Sequence, residues 1–201
     1  MTPPTPSGRV RLSPAERREQ LLTLGVQLFS QGSIEEISID RLAEVAGVSR
    51  GLLYHYFGSK QGFYEAVVQH AADDLVAQTA PIDDPDPLVR LHHSMAAYVD
   101  YVVDNLEGYR SLVRAAAGGN EALRRIYEEA RAALTDRIFR AEGAGELIPD
   151  SAATRLVVRG WAAYAEETVL AWCERPDGVE RGDLVRLLAD SLPALVVTLG
   201  R

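Results

Sequence analysis

Apolar residues recur along this chain at the three-and-four spacing of amphipathic helices, and no segment shows the strict alternation of a half-buried strand. Ser13-Pro14 opens a first helix with a capping residue and a proline at its first position. Leu21, Gly25, Leu28 and Phe29 give that helix its apolar stripe. Ile39, Leu42, Ala43 and Ala46 form a second stripe behind Ser38, whose hydroxyl suits an N-cap. Gly47 follows at once and fits a left-handed position that stops the helix and turns the chain. Val48 anchors the turn, and Ser49 caps a third helix on which Leu53 and Phe57 stand at i, i+4. Gly58 and Ser59 break it, and Ser59 caps a fourth helix that runs to about Thr79.

The polar, proline-rich stretch from Pro81 to Pro87 is the best domain boundary. Beyond it one stripe holds Leu88, Leu91, Met95, Tyr98, Val102 and Leu106, and a second holds Tyr109, Leu112, Val113 and Ala116 up to Gly118-Gly119. A third holds Leu123, Ile126, Tyr127, Ala130, Leu134 and Ile138, ended by Gly143 to Gly145. Asp150 or Ser151 caps the next helix, which reaches about Glu174. A last one carries Leu184, Leu187, Leu188, Leu195 and Leu199, with Pro193 kinking it or tightening its final turns. These patterns predict an all-α chain of about nine helices: a proline-rich disordered tail over 1–12, an N-terminal domain over 13–80, and a C-terminal helical domain over 81–201.

Two short helices joined by a glycine turn over 38–57 fit a helix-turn-helix. With Leu53 and Phe57 facing inward, Arg50, Gly51, Leu52, Tyr54, His55 and Tyr56 occupy the exposed side and flanks of the second helix. A generic helical hairpin has no need for an arginine at a helix start, two exposed tyrosines and a lysine in one short stretch. DNA binding explains them. Arg50 is the leading base reader, suited to a guanine edge. Ser38, Ser49, Tyr54, Tyr56 and Lys60 can position the sugar-phosphate backbone, and Gly51 permits close approach. Arg9 and Arg11 form either an arm reaching a minor groove or part of a plain tail.

The net charge of −8 argues at first against a polyanionic partner, but its distribution changes that picture. Residues 1–70 carry equal numbers of basic and acidic side chains, so the excess of acid lies wholly in 71–201. A neutral DNA-facing part and an acidic distal part would orient the molecule on a duplex, with modest non-specific affinity. No apolar run is long enough to span a bilayer, the N-terminus lacks an apolar signal core, and the single Cys173 suits a reducing compartment, so a cytoplasmic location is expected. No phosphate loop, nucleophile elbow or zinc spacing is present, which predicts neither an enzyme nor a bound cofactor. His92 and His93 are adjacent and point about 100° apart on a helix, which does not suit a shared metal.

The run from Gln20 to Tyr64 resembles the N-terminal domain of the tetracycline-repressor (TetR) family of bacterial transcription regulators. Leu28-Phe29, Gly32, Ile39 with Leu42-Ala43, Ala46-Gly47-Val48-Ser49, Leu53-Tyr54, Tyr56-Phe57 and Lys60 carry the resemblance. The chain departs from the family at Ser38-Ile39, where a Thr-Thr pair is usual, and at Gln61-Gly62-Phe63, where acidic residues and a leucine are usual. Gly62 is expected to lower local helix stability by roughly 1 kcal/mol relative to alanine.

The resemblance implies a homodimer on a palindromic duplex operator, with two recognition helices in successive major grooves about 34–36 Å apart or wider. It also implies a dimer built from the last two helices and a small-molecule effector bound in the C-terminal domain. Met95, Tyr98, Tyr109, Leu112, Tyr127, Trp161 and Tyr164 are the candidate pocket residues, and their character points to a hydrophobic effector, aromatic or acyl. Core packing accounts for the same residues. Glu166 and Glu167 interrupt an apolar helix, and either pair with Arg114, Arg137 or Arg159 or face a polar or cationic ligand group. The resulting expectation is a repressor that releases DNA on binding its effector. A DNA-binding regulator without an effector, or a helical adaptor that has lost DNA binding, are the competing readings.

Overall fold

The computed structural model describes residues 12–29, 38–140 and 148–200. Arg9, Arg11, Gly32 and the Gly143 to Gly145 stop lie outside the described residues. Nine α-helices and no strand occur among the described residues: α1 Pro14–Phe29, α2 Ile39–Ala46, α3 Arg50–Phe57, α4 Lys60–Gln78, α5 Pro87–Asp104, α6 Leu106–Ala117, α7 Glu121–Arg140, α8 Ala152–Glu174 and α9 Arg181–Val197. A short 3-10 turn, Thr198–Gly200, takes up Leu199, which the apolar pattern assigned to the last helix. Leu106 likewise begins α6 instead of ending α5, because Asn105 breaks the helix between them. Pro193 is accommodated inside α9, which continues through it to Val197.

Burial explains the layout. Leu21, Leu22 and Phe29 of α1, Leu42 of α2, Leu53 of α3, and Phe63 and Val67 of α4 form one buried cluster that holds the first four helices together. Val99 and Val102 of α5, Val169 of α8, and Leu184 and Leu188 of α9 form a second, which Leu75 of α4 joins. Val68 and Ala72 of α4 meet Leu123 and Ile126 of α7 in a third. One helix, α4, therefore belongs to the N-terminal core and to the C-terminal ones. The Pro81–Pro87 break follows the helix that both halves share. Past the middle of α4 the Ala71 carbonyl accepts a hydrogen bond from the Tyr101 hydroxyl of α5 at 2.6 Å.

Gly62 is more than a weak helical position. A Cβ added there would stand 2.3 Å from the Phe57 carbonyl oxygen, a backbone atom that cannot swing aside. The missing side chain lets the end of α3 close onto α4. Gly62→Ala is thus expected to lower stability by about 1–3 kcal/mol through overpacking, against the gain of about 1 kcal/mol that helix propensity alone suggests. Equilibrium urea unfolding reads the sign directly, and a stabilised variant would show that the contact relaxes freely.

Candidate nucleic-acid interface and internal cavity

The turn between α2 and α3 is set by local capping. Ser38 is extended at φ −87 and its Oγ accepts from the Arg41 N–H at 3.1 Å. Gly47 takes φ 62, ψ 36, and the Val48 N–H returns to the Ala43 carbonyl at 3.0 Å. A non-glycine residue would meet steric opposition at that φ. Ser49 Oγ accepts from the Leu52 N–H at 3.2 Å and Ser59 Oγ from the Gly62 N–H at 2.9 Å, so each following helix starts at a fixed place. Leu53 is buried against the N-terminal core, and the other side of α3 is left outward.

On that side Arg50, Gly51, Tyr54 and His55 are exposed, while Leu52 and Tyr56 are half-buried. A Cβ at Gly51 would meet only Ser49 Oγ, at an ordinary 3.8 Å, so the missing side chain leaves room for a duplex to approach α3 there. The Tyr56 ring packs between His55 and Phe57 with centroids 5.6 and 6.3 Å away, which steadies it. Lys60 stands exposed at the start of α4 with its ammonium 5.2 Å over the Tyr64 ring. A hydrogen bond with the Tyr64 hydroxyl holds it above the usual lysine range, so it stays charged at any working pH. Arg50 is not free-standing. Its Nε and Nη2 both pair with the Asp40 carboxylate of α2. That grip takes the Nε/Nη2 side of the planar guanidinium and leaves its Nη1/Nη2 end, where a bidentate acceptor pair could meet it.

The C-terminal helices and α4 enclose a cavity of about 470 Å³, within the usual range for small-molecule sites. Met95, Tyr98, Tyr109, Leu112, Tyr127 and Trp161 all line it. Tyr164 does not; it is 40% exposed on the outer side of α8. Trp161 and Ala165 define the inward side of α8, and each step along a helix turns the side chain by about 100°, which carries Tyr164 outward. Glu167, Ala163 and Leu156 share in that exposure, so α8 is not buried on most sides within one chain.

Glu166 faces the cavity, and its partners correct the expected arginine pairing. Its two carboxylate oxygens accept from the Tyr109 hydroxyl at 2.8 Å and the Tyr127 hydroxyl at 2.7 Å. Arg131 Nη1 donates to the Tyr127 oxygen at 2.8 Å. Tyr98 and Tyr109 are bonded at 3.0 Å; because the Tyr109 proton is committed to Glu166, Tyr98 is the donor. Burial raises the pKa of Tyr98 and Tyr109 well above the ordinary phenol range and pushes Tyr127 up to about 12, so all three keep the protons this chain requires. Arg114 and Arg159 are exposed, and Arg137 donates elsewhere, to the Val76 carbonyl and to Thr79 Oγ1 at 3.2 Å. Sequence reasoning overlooked Arg131 as a wall residue, though a charge inside the Tyr127, Ala130, Leu134 stripe was a usable signal. His92, half-buried on α5, bonds Asp190 of α9 at 2.8 Å, while His93 is exposed. Burial raises the Cys173 thiol pKa, which makes it a poor nucleophile.

The capped α2–turn–α3 unit, with its polar helix face and the helical body behind it, defines a helix-turn-helix DNA-binding regulator. Residues 21–67 match the family model for bacterial regulatory proteins of the tetR family, and residues 87–195 match the tetracyclin repressor-like C-terminal domain. The chain belongs to the TetR family and is a transcription regulator, not an enzyme. A TetR-family transcriptional regulator from Streptomyces coelicolor superposes with a TM-score of 0.82 at 33% identity, over 93% of this chain and 83% of that one. A TetR-family regulator from Rhodococcus sp. gives a TM-score of 0.69 at 25% identity, over 90% and 99%. Among curated relatives, the HTH-type transcriptional activator FasR of Mycolicibacterium smegmatis is 26% identical over 87% of this chain and 80% of its own length. The HTH-type transcriptional repressor BepR of Brucella suis is 28% identical over 46% of each. No helix among the described residues is long and apolar enough to cross a membrane.

Proposed function

We propose that this regulator is a dimeric repressor that leaves a palindromic operator when a small, mainly apolar molecule fills the cavity. The observation that carries the reading is the double membership of α4. Phe63 and Val67 lie in the core that seats α3, while Val68 on the adjoining face, and Ala72 and Leu75 one to two turns further on, form cavity wall. A ligand that favours one cavity shape therefore favours one seating of the DNA-binding unit, to the extent that it binds the two shapes differently. The outer faces of α8 and α9 support the dimer. Leu156, Leu187 and Leu195 are 70%, 51% and 41% exposed there, beside Tyr164, an uncommonly apolar surface for a lone chain. In this arrangement Arg50 reads a base while Ser38, Ser49, Tyr54, Tyr56 and Lys60 contact backbone, with Leu52 and His55 at the edges.

Fluorescence anisotropy with duplex DNA from upstream of its own coding region, combined with sedimentation, tests the reading. Dimers that bind this DNA and are released by apolar compounds support it. Monomers at working concentration, or indifference to every compound that binds the protein, count against it. Within the same assay, Lys60→Ala is expected to weaken binding to all sequences alike and to reduce the salt slope by about one unit. An unchanged slope would take Lys60 off the phosphate.

A further inference from the structure

The cavity wall carries two charged stations, and they are not equivalent. The first is the cluster of Glu166, Tyr98, Tyr109, Tyr127 and Arg131. Its one carboxylate and one guanidinium balance, and its hydroxyls are spoken for within the protein. Nothing in it asks for a ligand charge. The second station is Arg137, half-buried where α7 passes the end of α4. Its contacts, the Val76 carbonyl and the Thr79 hydroxyl, are both neutral, and it has no carboxylate partner among the described residues. Burial alone pulls its pKa below the ordinary arginine value, with no acid pushing the other way. A guanidinium has five N–H donors, and these contacts leave others to spare. Arg90 also lines the cavity, but it is buried and donates to the Asp84 carbonyl in the α4–α5 linker.

Tyr127 and Arg137 are ten positions apart on α7, which separates the two stations by roughly 15 Å along the helix axis. Between them α7 gives the wall Ala130, Leu134 and Thr135, whose hydroxyl is taken up by the Arg131 carbonyl at 2.9 Å, and Met95 and Trp161 line the same cavity. A partly desolvated cation beside an apolar chamber is stabilised when an anion meets it.

We propose that the ligand of this cavity is a monocarboxylate with an extended apolar body, its carboxylate paired with Arg137 and its body lying along α7 toward Trp161. The proposal rests on the reading of the cavity as an effector site and specifies the chemistry of that effector. Planar carboxylate and planar guanidinium pair through two parallel hydrogen bonds, which an alcohol cannot reproduce and an amine opposes.

Three probes of one chain length separate the possibilities: decanoate, 1-decanol and decylamine, each kept below its aggregation threshold and measured by calorimetry on the full-length protein. Decanoate is expected to bind about 10- to 100-fold more tightly than decanol, the range a hydrogen-bonded charged contact gives, and decylamine not to bind measurably. Arg137→Gln should abolish the difference between decanoate and decanol, whereas Arg137→Lys should keep part of it. Thermal melts accompany each variant, because Arg137 also ties α7 to α4; the wild-type ranking of the three probes stands as a test even where a variant does not fold. Equal binding of decanoate and decanol, or preference for decylamine, overturns the carboxylate assignment and leaves the cavity as an effector site. Retained preference in Arg137→Gln overturns the role of Arg137. Failure of all three probes to bind counts against the effector site itself, and the assignment falls with it.

Discussion

Arg50→Ala is expected to flatten sequence preference at one operator position, with a loss of about 1–3 kcal/mol of discrimination between the preferred base and its competitors. Overall affinity should fall less for non-cognate DNA than for the cognate site, because base contacts specify while phosphate contacts hold. Selection from a randomised operator library, followed by competition at fixed salt, measures both quantities. A preference pattern unchanged at every position would remove Arg50 from the base-reading role. The Asp40 contact sharpens the expectation. With its Nε edge fixed by a carboxylate, Arg50 presents its outer edge in a restricted set of orientations. Exposed ion pairs of this kind contribute little to stability, about 0–1 kcal/mol. Arg50→Ala should therefore leave the melting temperature nearly unchanged while changing the sequence preference.

Trp161→Ala is expected to be the most damaging single change to the C-terminal domain, costing about 3–5 kcal/mol. The side chain is 4% exposed and packs among Ile148, Val158 and Leu192. Its indole N–H donates to the Leu188 carbonyl and to Ser191 Oγ, both at 3.0 Å, so it also fastens α8 to α9. Truncation would widen an existing cavity and strip the Ser191 hydroxyl of a donor. Trp161→Phe keeps much of the volume and removes the N–H, so it should cost distinctly less. Urea unfolding of both variants divides packing from hydrogen bonding; equal losses would mean that the indole N–H, not the bulk, is what matters.

The helix-turn-helix was legible because its determinants are local. Ser38, Gly47, Ser49 and Ser59 each act on residues within a few positions, and the structure shows each one at the helix end where the sequence puts it. The cavity was legible only in part. An apolar stripe says that a residue is covered, not by what. Trp161 and Tyr164 lie on adjoining flanks of α8, yet one faces the cavity and the other faces out. The partners of Glu166 come from 57 and 39 positions away, and no periodicity in the chain announces such pairs. Arginines were the reasonable guess for a carboxylate; the fold supplies tyrosines instead. The proline-rich break at Pro81–Pro87 was equally visible, but it could not reveal that α4 serves the packing on both sides of it.

Were α4 to pivot where the Tyr101 hydroxyl holds the Ala71 carbonyl, the pivot would be off-centre. Lys60 lies eleven positions before it and Gln78 seven after, so the arm toward the duplex exceeds the arm toward Arg137 by a ratio of roughly 1.6 at constant rise. Any tilt imposed at the short end would be enlarged, not damped, by the time it arrived beneath the helix that carries Arg50.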